Sequence, residues 1–200
     1  NPAGIILSGG PASIYEENSP GVDTDIFTTG IPVLGICYGM HIMIDALGGT
    51  IQRARKREYG FARLEIPSSE DTIFKDLENE TQCWMSHGDS AEKLPEGFSV
   101  IASTENTRLA AVADQKRKFY GLQFHPEVEH THKGFDMLKN FLFTVCRCEK
   151  NWTMDSFAKG AISQIKEAVG ESRVIMGLSG GVDSSVAATL IHKAIGKNLY

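Results

Sequence analysis

Residues 32–39 read Pro32-Val33-Leu34-Gly35-Ile36-Cys37-Tyr38-Gly39. A short apolar run ends at a cysteine held between two glycines, in the form G-x-C-x-G. Such a run reads as a buried strand of a parallel sheet. The segment 39–47 that follows is apolar on most sides and stops at Gly48-Gly49, which reads as a buried helix with a glycine terminator. The turn between strand and helix is so tight that only small residues fit beside the cysteine, whose side chain then stands clear of the sheet. A helix N-terminus just beyond Cys37 favours a thiolate and offers backbone N–H groups to an oxyanion.

Outward from this turn the pattern alternates short β-rich runs with helical ones, as in an α/β protein with an open, mainly parallel sheet. Upstream, Gly4-Ile5-Ile6-Leu7 ends in the turn Ser8-Gly9-Gly10-Pro11. Downstream, residues 62–66, 82–86, 99–103, 109–113 and 119–124 read as short strands. Residues 132–146 read as a helix, with Phe135, Leu138, Leu142 and Val145 at helical spacing. A boundary falls near Lys150-Asn151-Trp152, giving a domain 1–150 and a second segment 151–200. The second begins afresh with a helical pattern over 154–169, a strand over 173–178 and a helix over 183–195.

The last of the short strands leads into His125-Pro126-Glu127. An imidazole at a strand end, followed two residues later by a carboxylate, can lie beside a thiol with its other nitrogen held by the acid, the arrangement of nucleophile, base and orienter. Alone, Cys37 also fits a buried cysteine in a glycine-rich turn and His125 a surface turn residue. Their co-occurrence in order, each at a strand end, favours the catalytic reading. With Leu7-Ser8-Gly9-Gly10-Pro11 they resemble the class I (triad) glutamine amidotransferases, whose main domain is flavodoxin-like. The resemblance implies that Cys37 attacks the carboxamide of glutamine, that His125 protonates the departing ammonia and later activates water, and that Glu127 holds the imidazole. It implies oxyanion contacts from the backbone near Gly10 and Tyr38.

Met85-Ser86-His87-Gly88-Asp89 resembles a segment beside the glutamine site in one branch of this family. It fits a strand end with a Gly-Asp turn equally well, and His87 is given no catalytic role. Four residues after the cysteine this family usually carries a glutamine that holds the substrate; here His41 stands, either a donor in its place or a neutral replacement.

The second segment holds Val174-Ile175-Met176-Gly177-Leu178, then Ser179-Gly180-Gly181-Val182-Asp183-Ser184-Ser185. Glycines let a backbone curl round an anion, and a helix N-terminus with serine hydroxyls supplies donors. A Walker A loop would require its lysine, which is absent. The motif S-G-G-x-D-S resembles the ATP-pyrophosphatase loop, so the segment is expected to be the first β-loop-α unit of an adenine-nucleotide α-hydrolase-like domain. Residues 179–185 would bind ATP. Asp183 beside a polyanion points to a Mg²⁺ contact, with a helix N-cap as its plain alternative.

A triad glutaminase followed by this loop resembles the glutamine-hydrolysing GMP synthase family. That implies glutamine, ATP and XMP as substrates, and GMP, AMP and pyrophosphate among the products. It implies further sequence on both sides of these 200 residues, with a homodimer formed through a region outside them. Two rivals stand beside it: another thiol hydrolase on the same scaffold, with the glycine-rich loop only a helix cap, and a non-catalytic module keeping the fold.

Composition agrees with a globular enzyme. The apolar fraction is 42%, charged residues make up 22% and the net charge is −5. No long block of like charge suggests a nucleic-acid or membrane surface, and no signal or spanning segment is visible. Four irregularly spaced cysteines point to a reducing, cytoplasmic setting rather than a disulfide framework. Cys146-Arg147-Cys148 fits no zinc spacing and reads as a helix end with buried thiols. Cys83 reads as core, and the basic stretch 53–57 as solvated.

Overall fold

Val33 and Leu34 face opposite sides of the same strand, and this alternation builds the core. The computed structural model describes residues 2–68, 73–150 and 152–200, and of residues 55 and 56 the backbone alone. Asn151, at the expected boundary, lies outside the described residues, as do the side chains of Arg55 and Lys56 in the basic stretch. The chain divides into two compact units, Asn1–Cys148 and Glu149–Tyr200.

In the first unit the strands are β1 (Ile5–Leu7), β2 (Val33–Ile36), β3 (Thr50–Glu65), β4 (Glu80–Lys93), β5 (Ser99–Ala102), β6 (Ala111–Asp114) and β7 (Phe119–Leu122). Five of them form one sheet in the order β1-β2-β7-β6-β5. β1, β2 and β7 are parallel neighbours, and β6 runs against both β7 and β5. Four of the five strands therefore point the same way.

Val33 lies opposite Phe119 in register, and both pack with Met43 and Phe27 on one face. Leu34 lies opposite Tyr120 and faces the other side, with Phe124 and Phe141. Gly35 and Gly121, also in register, fall on the face covered by α1 (Tyr38–Ala46). A Cβ on Gly35 would lie 2.6 Å from the Met40 nitrogen, and one on Gly121 2.8 Å from the Met40 Cγ. The glycine pair thus lets the first turn of α1 settle on the sheet. Met40, Met43 and Ile44 are then fully buried, each side chain contributing roughly 1.5–3 kcal/mol.

The short strands expected at 62–66 and 82–86 are one half of a long hairpin. β3 and β4 pair antiparallel as a separate two-stranded sheet. The other half, 50–60, escapes an apolar pattern because it lines a cleft rather than a core. Its register shifts between Arg53, opposite Asp89, and Glu58, opposite His87. Residues 54–57 therefore bulge out against Gly88.

The helix expected over 132–146 is also altered. α2 (Gly134–Lys139) gives way to a π-helical turn, Asn140–Val145. Asn140 Nδ2 donates to the Ile73 and Lys75 carbonyls at 3.0 and 2.8 Å, fixing the wider turn. Gly134, Met137, Phe141 and Val145 are the buried residues, whereas Phe135 is 63% exposed and Leu142 37%.

The second unit contains α3 (Met154–Val169) and α4 (Val182–Ile195). α3 opens with a reciprocal capping box between Thr153 and Ser156. The strand expected over 173–178 is reduced to a parallel bridge between Val174 and Leu199. Among the described residues, 174–176 pair along the backbone with 198–200, through Val174 N–H to the Asn198 carbonyl, Tyr200 N–H to Val174 and Met176 N–H to Tyr200. Among the described residues no helix is long and apolar enough to cross a membrane.

Candidate active site

Parallel pairing places the ends of β1, β2 and β7 side by side, with Leu7 opposite Gly35 and Ile36 opposite Leu122. Loops that leave the carboxyl edge of adjacent parallel strands share one crevice. Ser8-Gly9-Gly10, Cys37 and His125 come from these three loops.

Cys37 sits at φ 49°, ψ −106°, a conformation that L residues avoid and that nucleophile elbows impose. Its N–H donates to the Leu122 carbonyl at 2.7 Å, and its carbonyl accepts from His41 N–H at 3.1 Å. A side chain on Gly39 would collide with the backbone of Leu7. The small residues on both sides of the cysteine are therefore steric necessities.

His125 is fixed through its backbone, which donates to the Trp84 carbonyl at 3.1 Å and accepts from Thr131 Oγ1 at 2.5 Å. Its Nδ1 donates to Glu127 Oε1 at 2.7 Å. The imidazole is pushed up to about 10 by its hydrogen bonds to Cys37 and to Glu127, with their negative charges helping, against burial. Burial alone would raise the Glu127 carboxyl. The hydrogen bond from His125, one from its own N–H and the imidazolium charge outweigh it and hold the acid below its usual range. Gly9 is pressed against this pair: a Cβ there would lie 2.7 Å from the His125 Cε1.

Cys37, His125 and Glu127 open into a cleft of about 1000 Å³ that also takes in Ser13, Arg53, Arg57 and Asp89. The loop after β1 is tied across it, Ser13 Oγ donating to Asp89 Oδ2 and Tyr15 O–H to the Ile51 carbonyl, each at 2.5 Å.

The class-I glutamine amidotransferase family model matches residues 1–145. The chain belongs to that family. A separate model, for NAD synthase, matches residues 156–200. Over 198 residues the chain is 55% identical to a GMP synthase (glutamine-hydrolyzing) of Brachyspira hyodysenteriae, covering 99% of this chain and 38% of that protein. A relative of the same name from Carboxydothermus hydrogenoformans is 56% identical over 200 residues, all of this chain and 39% of the relative. The chain therefore spans well under half the length of the curated relatives it matches. Among solved structures, a GMP synthase component from Thermoplasma acidophilum superposes with TM-score 0.62 at 30% identity, covering 72% of this chain and 73% of that one. A glutamine amidotransferase from Thermotoga maritima shares the fold, with TM-score 0.53 at 20% identity over 96% of this chain and 78% of the other.

Within this amidotransferase fold His41 is buried one turn beyond Cys37, and its Nε2 lies 2.9 Å from Gln123 Oε1. Burial pushes its imidazole down, against the Gln123 hydrogen bond and the charge of Asp89. His87 is buried too and donates from Nδ1 to the Asp89 carbonyl at 2.9 Å. Its Nε2 lies 3.5 Å from Glu58 Oε2, a carboxylate that also accepts from Thr107 at 2.6 Å. Burial lowers the His87 imidazole as well, with the Asp89 carbonyl and Glu58 acting in the other direction.

Gly10 and Tyr38 line the cleft. Gln123 and Glu58 have no place in the sequence reading, and Gly9 enters it only within the loop Leu7-Ser8-Gly9-Gly10-Pro11. Of the first two, only Gln123 leaves a trace in the sequence, as a polar side chain at the end of an apolar strand.

In the second unit Gly181 caps α4 and Asp183 lies in its first turn. Asp183 is thus not the N-cap. Gly180 takes φ 83°, which glycine allows. The hydroxyls of Ser184 and Ser185 donate to the Gly181 carbonyl at 3.0 and 2.8 Å, and Ser179 Oγ lies 2.9 Å from Ser184 Oγ. Among the described residues no group of three His, Cys, Asp or Glu side chains could hold a metal ion by itself. Cys83 is buried, with its thiol pushed up to about 12 by burial and by Glu58. Cys146 and Cys148 are free and only partly buried.

Proposed function

We propose that the chain is the glutaminase, with the opening of the ATP-pyrophosphatase part, of a GMP synthase that uses glutamine. The observation that carries the reading is the Cys37–His125–Glu127 arrangement in one chain with the S-G-G-V-D-S loop. Identities of 55% and 56% to proteins named GMP synthase (glutamine-hydrolyzing) support it.

Near neutral pH a His125 held up to about 10 is an imidazolium, so it enters the reaction as an acid. Cys37 Sγ attacks the carboxamide carbon of glutamine and forms the C–S bond. Backbone N–H groups near Gly10 and Tyr38 receive the negative oxygen. As that oxygen collapses, the C–N bond breaks and His125 gives its proton to the leaving nitrogen, which departs as ammonia. The neutral imidazole takes a proton from water, which attacks the thioester; glutamate leaves and Cys37 is regenerated. Glu127 holds the imidazole's orientation throughout and stabilises its charged form. Arg53, Arg57, Glu16 and Asp89 line the same cleft, and charges of both signs suit a zwitterionic amino acid.

In the second unit residues 179–185 would cradle ATP, with N–H groups at the α4 N-terminus and the serine hydroxyls turned to phosphate. Mg²⁺ needs only one or two protein carboxylates when phosphates and waters complete its shell. Asp183 fits that role and would hold the ion, which neutralises phosphate charge. XMP, the acceptor of the ammonia, would be bound outside these 200 residues. The protein would work in the cytoplasm, as a homodimer.

The test is glutamate release by the full-length protein, with and without ATP, Mg²⁺ and XMP, in the parent and in Cys37→Ala. Release that needs Cys37 and rises with the nucleotides supports the reading. Release indifferent to them leaves a glutaminase with another acceptor, and no release removes it.

A further inference from the structure

Next to the nucleophile lies a buried polar pair that the reaction above does not use. Gln123 follows β7 with no exposed surface. Its Nε2 is 3.9 Å from Cys37 Sγ and its Oε1 is 2.9 Å from His41 Nε2. A buried amide has two ends with opposite needs, and only one orientation satisfies both here. His41 is buried, and burial keeps its imidazole neutral, so the nitrogen facing Gln123 can carry the one ring proton and donate it to Oε1. The NH₂ end of Gln123 must then face the sulfur. Turned round, the carbonyl oxygen would face Sγ, two electron-rich atoms with no proton between them once the thiol ionises.

We propose that Gln123 donates an N–H to the Cys37 thiolate and that His41 acts as a positioning residue by fixing the orientation of the Gln123 amide. The proposal rests on the reading of Cys37 as nucleophile. It also assigns opposed roles to two neighbours of the sulfur. The Ser86 carbonyl, 3.6 Å from Sγ, accepts from the protonated thiol, whereas the Gln123 amide serves only the ionised form. The other titratable groups of the cleft near Cys37 are His125 with Glu127 beyond it, His87, Asp89 and Tyr38. None of them is changed in the variants below.

The experiment is the pH dependence of Cys37 alkylation by iodoacetamide in the full-length protein, followed by mass spectrometry, in the parent, Gln123→Leu, His41→Leu and His41→Gln. This readout needs no glutamine, so it is distinct from a failure of the glutaminase reading, which appears as a parent that releases no glutamate. In Gln123→Leu the acid limb of the profile moves up by about one pH unit. Its kcat for glutamine falls about tenfold with KM little changed, because the lost contact is to the sulfur and not to the substrate. His41→Leu shifts the limb in the same direction. His41→Gln, which restores a donor to Oε1, leaves it where the parent has it. A limb unmoved in Gln123→Leu, or a loss confined to KM, overturns the contact. A limb displaced equally in His41→Gln and His41→Leu overturns the positioning role.

Discussion

Nδ1 of His125 lies 2.7 Å from Oε1 of Glu127, and the two residues stand only two apart in the chain, at the end of a strand parallel to the one that ends at Cys37. The pair is local in sequence, but its usefulness depends on that neighbouring strand. Replacing Glu127 by Gln keeps the shape and removes the charge. Glutamate release is expected to fall about 10- to 100-fold in kcat, with the alkaline limb of the pH–rate profile moving down as His125 loses its partner. A steady-state pH profile of Glu127→Gln against the parent checks both.

Stability should follow the same ionisation. His125 rises from 6.5 in the unfolded chain to about 10 in the folded one. Its contribution is therefore fully present below pH 6.5 and is lost as pH climbs through about 10. Glu127 and Asp114 are shifted down, so theirs is present above the ordinary carboxylate range and fades as acid is added. Calorimetric Tm measured from pH 5 to 10 should decline less steeply on the alkaline side in His125→Gln than in the parent. Parallel curves would refute the assignment.

Gly39→Ala tests the steric claim about the elbow. Its methyl would be driven into the carbonyl of Leu7, and backbone cannot step aside as a side-chain tip can. The expected loss is about 3 kcal/mol or more of unfolding free energy, read from urea denaturation, while Gly160→Ala, with open space around it, should not destabilise.

Asp183→Asn separates the two units. On the proposed role of Asp183 as a cation ligand, pyrophosphate release from ATP by the full-length protein in the presence of XMP should drop by at least about 100-fold. Alkylation of Cys37 should be unaffected. Equal pyrophosphate release from both proteins would return the loop to a plain helix cap.

The tight turn at Cys37 and the placement of His125 at a neighbouring strand end could be read from the chain because elbows and strand ends have stringent local needs. Gly35 and Gly39 are required by contacts with Met40 and Leu7, and only glycine meets them. The hairpin β3–β4 was only half legible, because its first part faces a cleft and so lacks the apolar alternation that marks a strand. Over 132–146 helical spacing fits Phe135 and Leu142 to a buried face as well as it fits Met137 and Phe141; apolar residues stand on both faces, and only the packing against the sheet decides that Met137, Phe141 and Val145 go inside.

What the sequence alone determined is the strand-turn-helix that presents Cys37 and the strand end that carries His125 and Glu127, since both depend on neighbours within a few residues. Only the tertiary structure decided that Gln123 backs the sulfur, that His41 turns to Gln123, and that His87 meets Glu58 across the hairpin. Those contacts join residues 29 to 86 positions apart, and no local pattern carries them: burial creates the demand for a hydrogen-bond partner, and the fold alone chooses which one answers.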